Sequence, residues 1–343
     1  MPGAPRAACL AALLVAGLVA GCGQVGGSQP APPVTPAGPA SAPDGGPAVA
    51  GTVQALEGSA GFAVVDPRTG QLAVALSNPP RLLLRPLDGA TGQREVPLPG
   101  PASDLVLAAE GGPLLVPVAT TGSLLQVPLD GGPPSRIDVG GRPQGAISVG
   151  GRVVVASGDR VVLLGAGRLL GADRTQQSTV TGFTDAVRLA PAGSKVAVLD
   201  RAQSTVSLVD PATGRAGPAL RAGNGVVSMV ADRFGRLVLA DVRDGELLVF
   251  AGDPLLLRQR YPLPGAPYGL VYDARRDLAW VTLTARNEVV GLRMGGGEPE
   301  IVHRFATVKQ PDAVAVDPVS GRVVVVSASG AGLQVIDPER VVH

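Results

Sequence analysis

The chain has 343 residues, with 29 Lys+Arg against 28 Asp+Glu, 48 Gly and 33 Pro. Nucleic-acid binders carry a basic patch or stripe, whereas the Arg residues here are scattered, often at hairpin ends such as Arg68, Arg215 and Arg322, so no nucleic-acid partner is expected. Two Cys and two His supply neither a disulfide framework nor a Cys- or His-based metal site at ligand spacing, and one Trp counts against a cofactor stacked on indole; no cofactor is expected.

Residues 1–21 read as an export signal, with Arg6, an apolar run over 7–20 and small residues before Cys22. The run is shorter than the ~20 residues that span a bilayer. Val19-Ala20-Gly21-Cys22 resembles a bacterial lipobox. That resemblance implies lipidation of Cys22, which becomes the mature N-terminus, and a lipid-anchored place on the extracytoplasmic side of the cell membrane. Cys9 leaves with the signal, so no disulfide remains.

Residues 22–51 form a Pro/Ala/Gly/Ser linker with almost no charge. Its composition offers too little apolar surface to offset the entropy of ordering it, so it is expected to be disordered. In polyproline form at ~3.1 Å per residue it reaches up to roughly 90 Å, enough to hold a domain clear of a membrane.

From residue 52 onward the chain repeats. First strands begin near Gly61, Ser103, Gln144, Asp185, Val227, Tyr268 and Asp312, at spacings of 42, 41, 41, 42, 41 and 44 residues. Second strands follow at 71–76, 113–118, 152–156, 195–199, 236–240, 278–283 and 322–327. Val- and Ile-rich runs favour the pleated surface, and Asp-Pro followed by Gly supplies the turns. Units of this length point to an all-β fold, a seven-bladed β-propeller of four-stranded antiparallel blades over 52–343. The last unit is too short for a fourth strand, and Thr52-Val53-Gln54-Ala55-Leu56 is predicted to supply the outer strand of the last blade, closing the ring.

Trp280-Val281-Thr282-Leu283 stands where Tyr-Val-Thr-Asn is expected in YVTN-type repeats, and Asn287-Glu288-Val289-Val290-Gly291-Leu292 matches the strand that follows. The turns Val209-Asp210-Pro211-Ala212-Thr213-Gly214 and Val65-Asp66-Pro67-Arg68-Thr69-Gly70 are similar to those of the same group and of NHL repeats. The chain thus resembles the YVTN-type seven-bladed propellers over about residues 52–343. The resemblance implies a frame with diverse binding roles and brings no catalytic residue.

Propellers bind through one face, built from the loops before the innermost strands and those joining second to third strands. The first set brings Asp104, Gln144, Asp185, Tyr268 and Asp312; the second brings Arg286 and Asn287. Tyr268 and Arg286 lead this set because Tyr and Arg are enriched in binding hot spots. Asp66, Asp210, Asp317 and Asp337 are read as turn residues accepting backbone N–H groups. Asp241, Asp244 and Glu246 lack the spacing of a calcium loop and read as a charged hairpin turn. His303 falls on an outer strand, and 165–171 reads as a hairpin turn.

The expected function is a non-enzymatic binding or scaffold module, a monomer presenting one face to a protein or cell-envelope partner, with the lipid as its only membrane anchor. The alternative is a lactonase-type hydrolase in which Asp104, Asp185 and Asp312 converge on a divalent cation at the channel mouth, where three carboxylates would otherwise repel.

Overall fold

The computed structural model describes Met1 and residues 34–89, 92–165 and 177–340. The export signal, Cys22 and His343 lie outside the described residues, as does most of the 165–171 turn. No helix among the described residues is long and apolar enough to cross a membrane.

Each repeat folds as an antiparallel meander. The first blade runs through Ala60–Val65, Gln71–Ser77, Pro80–Pro86 and Arg94–Pro97, from the channel outward. The second comprises Val106–Leu107, Leu114–Val118, Ser123–Val127 and Ser135–Asp138. The fifth repeat gives Val226–Ala231, Arg236–Asp241, Glu246–Ala251 and Leu256–Pro262, and the sixth Pro267–Asp273, Leu278–Leu283, Glu288–Arg293 and Glu300–Ala306. The last repeat contributes only Pro311–Val316, Val323–Ser327 and Leu333–Ile336. Thr52–Gln54 pairs antiparallel with Leu333–Ile336, in the register Val53 to Gln334, and completes that blade as the sequence predicts.

The third and fourth repeats do not separate into blades. They share one seven-stranded sheet, in place of two of the four-stranded blades expected. The cause is two long strands. Arg152–Leu164 pairs with Gly145–Val149 through residue 156 and then, from Gly158 onward and across a register shift between Gly158 and Arg160, with Gln177–Ala192. Gln177–Ala192 in turn changes partner near Ala186 and Arg188, continuing on Lys195–Asp200.

Burial follows position in the meander. Middle strands such as Leu114–Val118 and Val323–Ser327 are buried at every residue, because neighbouring sheets cover both faces. Outermost strands are largely exposed, as in Leu256–Pro262. Seven apolar clusters among the described residues bridge consecutive repeats. One of them joins Leu72, Val74 and Leu76 of the first to Val324, Val326 and Leu333 of the last.

The Asp-Pro positions behave as turn residues. Asp66 Oδ2 accepts from the Thr69 amide at 3.0 Å and Asp66 Oδ1 from the Gly111 amide at 2.7 Å. Asp210 accepts from Ala212 N and Asp317 from Val319 N in the same way.

The expectation of disorder over 22–51 does not hold for its described part. Residues 34–51 lie along the blades as a strap, beginning with Val34 N donating to Ala202 O at 2.8 Å and ending with Ala50 N donating to Ala306 O at 3.2 Å. Composition is a guide to apolar burial only. This segment is held by polar side chains that bond its backbone, a contribution composition does not register.

Candidate binding face and channel mouth

The first strands of six repeats line a central cavity of about 430 Å³, into which Asp104, Arg188, Tyr268 and Asp312 open. A second cavity of about 300 Å³ forms its mouth, between Phe62, Ser103, Gln144, Arg201, Tyr268 and Ala37 of the strap. Residues predicted from the loops before the inner strands therefore do gather at one end of the ring.

Two of them, Gln144 and Asp185, interlock with Arg201, which follows the strand Lys195–Asp200. Arg201 places both Nε and Nη2 on Asp185 Oδ2, at 3.1 and 2.9 Å. Gln144 Nε2 donates to the other oxygen of Asp185 at 2.7 Å. Asp200, next along the chain, accepts from the amides of Thr184 and Asp185, so it fixes the loop that carries Asp185.

Arg188 is the central residue that the sequence reading passed over. It follows Asp185-Ala186-Val187 on the strand Gln177–Ala192, and its Nη1 donates to the carbonyls of Gln144 at 2.9 Å, Val187 at 3.1 Å and Ser103 at 3.4 Å. Its guanidinium also lies 5.5 Å from the centroid of Phe62, a cation–π arrangement. A lone charge within the apolar stretch from Ala186 to Ala190 was the available signal.

The acidic groups divide by environment. Burial pushes the Asp104 carboxyl up, against the pull of the Arg188 charge and of the Leu105 and Ala146 amides. Burial pushes Asp312 up to about 6, opposed by a hydrogen bond from Gln310 Nε2 at 2.8 Å. Burial also raises the Tyr268 phenol. Among the described residues, Asp104, Asp185 and Asp312 do not form a set with ligand atoms within 4.8 Å of one another. The acidic group that meets that distance is Asp241, Asp244 and Glu246. Its oxygens are largely taken by donors. Asp241 accepts the amides of Asn224, Gly225, Arg243 and Asp244, and Arg260 chelates Glu246 at 2.7 and 3.0 Å. It is a braced hairpin turn.

The second-to-third-strand loops face the strap. Asn287, in the left-handed region at φ 50°, donates Nδ2 to Pro43 O at 3.0 Å and accepts the Gln310 amide on Oδ1. Arg286 lies exposed on the short 3-10 helix Thr284–Arg286, its side chain against Gly265. His303 stacks on Trp280 at 5.4 Å on the outer strand Glu300–Ala306.

No protein-family model matches the chain, and no curated protein sequence matches it. Solved structures do resemble it. Kuenenia stuttgartiensis hydrazine synthase is 15% identical with a TM-score of 0.69, over 84% of this chain and 98% of that one. A catalytically inactive virginiamycin B lyase from Staphylococcus aureus with quinupristin is 11% identical with a TM-score of 0.68, over 83% and 97%. The β-propeller domain of Myceliophteria thermophila Cps50 (Swd1) is 11% identical with a TM-score of 0.69, over 83% and 98%. At these identities the likeness establishes the fold, an all-β propeller with four-stranded antiparallel blades.

Proposed function

We propose that this protein is a non-enzymatic binding module, a YVTN-type propeller of seven blades whose channel-mouth face takes a protein or cell-envelope partner. Lipidation at Cys22 holds it on the extracytoplasmic side of the cell membrane. Seven apolar clusters between consecutive repeats support seven blades, with the seven-stranded sheet counted as two that share a bent hairpin.

The observation that carries the binding reading is the interlocked set Gln144, Asp185 and Arg201 at the mouth. Its charges are paired on one another and fixed by Asp200. That suits a rigid recognition surface better than a reaction centre, which needs a free base or an open ligand set. The hydrolase alternative loses support because its three carboxylates are not a ligand set. A lyase of the Staphylococcus kind, inactive when a histidine is replaced, has no counterpart in His303, which is stacked on an outer strand.

In-cell photo-cross-linking from the mouth, with purification of the lipidated protein and mass spectrometry, tests this. The expected result is a small, reproducible set of partners that Tyr268→Ala with Arg286→Ala removes. Partners that cross-link only through the tether, or none above background together with lactone hydrolysis by the purified chain, would replace this reading with the hydrolase.

A further inference from the structure

The strap is bound to the face as a peptide ligand would be. Thr284 Oγ1 accepts the Ala40 amide at 3.2 Å, and Gln310 clamps the same stretch from both sides, accepting the Ala42 amide at 3.0 Å and donating to Ala40 O at 2.9 Å. Asn287 donates to Pro43 O, and Arg243 Nη2 donates to Thr35 O at 2.9 Å. All of these go to strap backbone. Among the described residues, the one strap side chain held in this way is that of Asp44, paired with Lys309. The strap runs close over the blade: a Cβ on Gly225 would meet the Arg243 Cβ of its own blade at 2.6 Å and the Ala37 Cβ of the strap at 3.1 Å. The strap itself, Val34-Thr35-Pro36-Ala37-Gly38-Pro39-Ala40-Ser41-Ala42-Pro43-Asp44, has only small side chains before its acidic end.

We infer that this face is a docking surface for an extended, proline-rich segment of a partner protein, and that residues 34–44 occupy it in cis as a resident competitor. The inference rests on the binding reading above and names the partner's chemistry. Side-chain amides and hydroxyls that satisfy alternate backbone groups select an extended chain of low conformational entropy. Lys309 selects an acidic residue after it. A tethered strap competes at high effective concentration, so the apparent affinity for an outside segment is lowered by the fraction of chains whose strap is open.

The full chain with Ala40→Pro and Ala42→Pro loses the two strap amides that donate to Thr284 and Gln310 and keeps every residue of the blades. The probe is a labelled peptide of residues 33–46, read by fluorescence anisotropy. Loss of two hydrogen bonds opens the strap enough to strengthen peptide binding by about tenfold or more. Gln310→Asn in the same background, which suits the left-handed backbone there but shortens the clamp, should reverse that gain. In the wild-type chain the Ala40 and Ala42 amides should be protected from hydrogen exchange. Equal peptide binding by both chains, binding indifferent to Gln310→Asn, unprotected strap amides, or dimers forming through exchanged straps would each overturn the inference. The two readings can fail separately. Partners cross-linked at the mouth with no effect of the peptide or the proline variant leave the binding reading and sink this one. Peptide binding without any cellular partner at the mouth sinks the binding reading and the partner segment with it, leaving only the strap itself as occupant of the face.

Discussion

Arg201 and Asp185 are joined twice through a single oxygen, Oδ2, while Gln144 from the preceding repeat holds the other. The Asp185 side chain is 14% exposed and that of Arg201 28%, so the pair is partly shielded from water. Arg201→Ala leaves a half-satisfied carboxylate there and should cost about 1–3 kcal/mol in urea unfolding. Asp185→Asn combined with Arg201→Ala should recover part of that loss, since the uncompensated charge is then gone. Strictly additive losses in the double variant would mean that the pair contributes nothing as a pair.

Asp312 sets a pH dependence whose sign is fixed by its burial. An ordinary Asp titrates near about 3.9, and in the folded chain Asp312 is pushed up to about 6. Between those values the folded state holds more proton than the unfolded state, so its contribution to stability falls as pH rises through that window. Asp104, also raised by burial, acts in the same direction. Urea midpoints of the wild type and Asp312→Asn should therefore diverge from about pH 4 to about pH 6, with the variant the flatter of the two. Parallel curves would place Asp312 in ordinary solvent.

The ring was legible because its signals are periodic and local. Runs such as Val323-Val324-Val325-Val326, β-branched throughout and bounded by turns, read as central strands, and the missing fourth strand of the last repeat pointed directly to Thr52. Asp66 and Asp317 were readable as turn residues because each bonds amides within three residues of itself. Two features were not legible. The role of Arg188 depends on carbonyls from Ser103 and Gln144, which only closure of the ring brings near. The strap is held by Thr284 and Gln310, more than 240 residues away, and its own composition carries no trace of them. The merged sheet of the third and fourth repeats likewise arises where Arg152–Leu164 exchanges partners at Gly158, a local bend that repeat spacing does not encode.

Closure of the ring depends on Gly51. It sits at φ 69°, and a Cβ there would lie 2.1 Å from Val335 O, a backbone atom on the strand that Thr52–Gln54 pairs with. Gly51→Ala meets both backbone strain and this clash, and should cost at least about 2 kcal/mol. Thermal unfolding should show the loss, with faster amide exchange at Val53 and Gln54 ahead of the other blades. A variant as stable as the wild type would show that the closing strand contributes little to the ring.

Trp280 and Gly291 give the last test, and it carries its own reporter. Trp280 is the single Trp of the chain, 1% exposed, stacked on His303 at 5.4 Å and on Phe305 at 6.2 Å. Gly291 is its register partner on the next strand, and a Cβ there would stand 2.9 Å from two atoms of the indole ring. The glycine is thus the space that the ring fills, and the same cluster ties the sixth repeat to Val314, Val316, Val323 and Val325 of the last. Overpacking a fitted site costs about 1–3 kcal/mol. Gly291→Ala should lower the urea midpoint by that amount and move the native Trp emission to longer wavelength as the ring is pushed from its stack. If emission and midpoint both stay at wild-type values, the indole does not lie over Gly291. If the midpoint falls while emission is unchanged, the strain is taken by the strand backbone rather than by the ring.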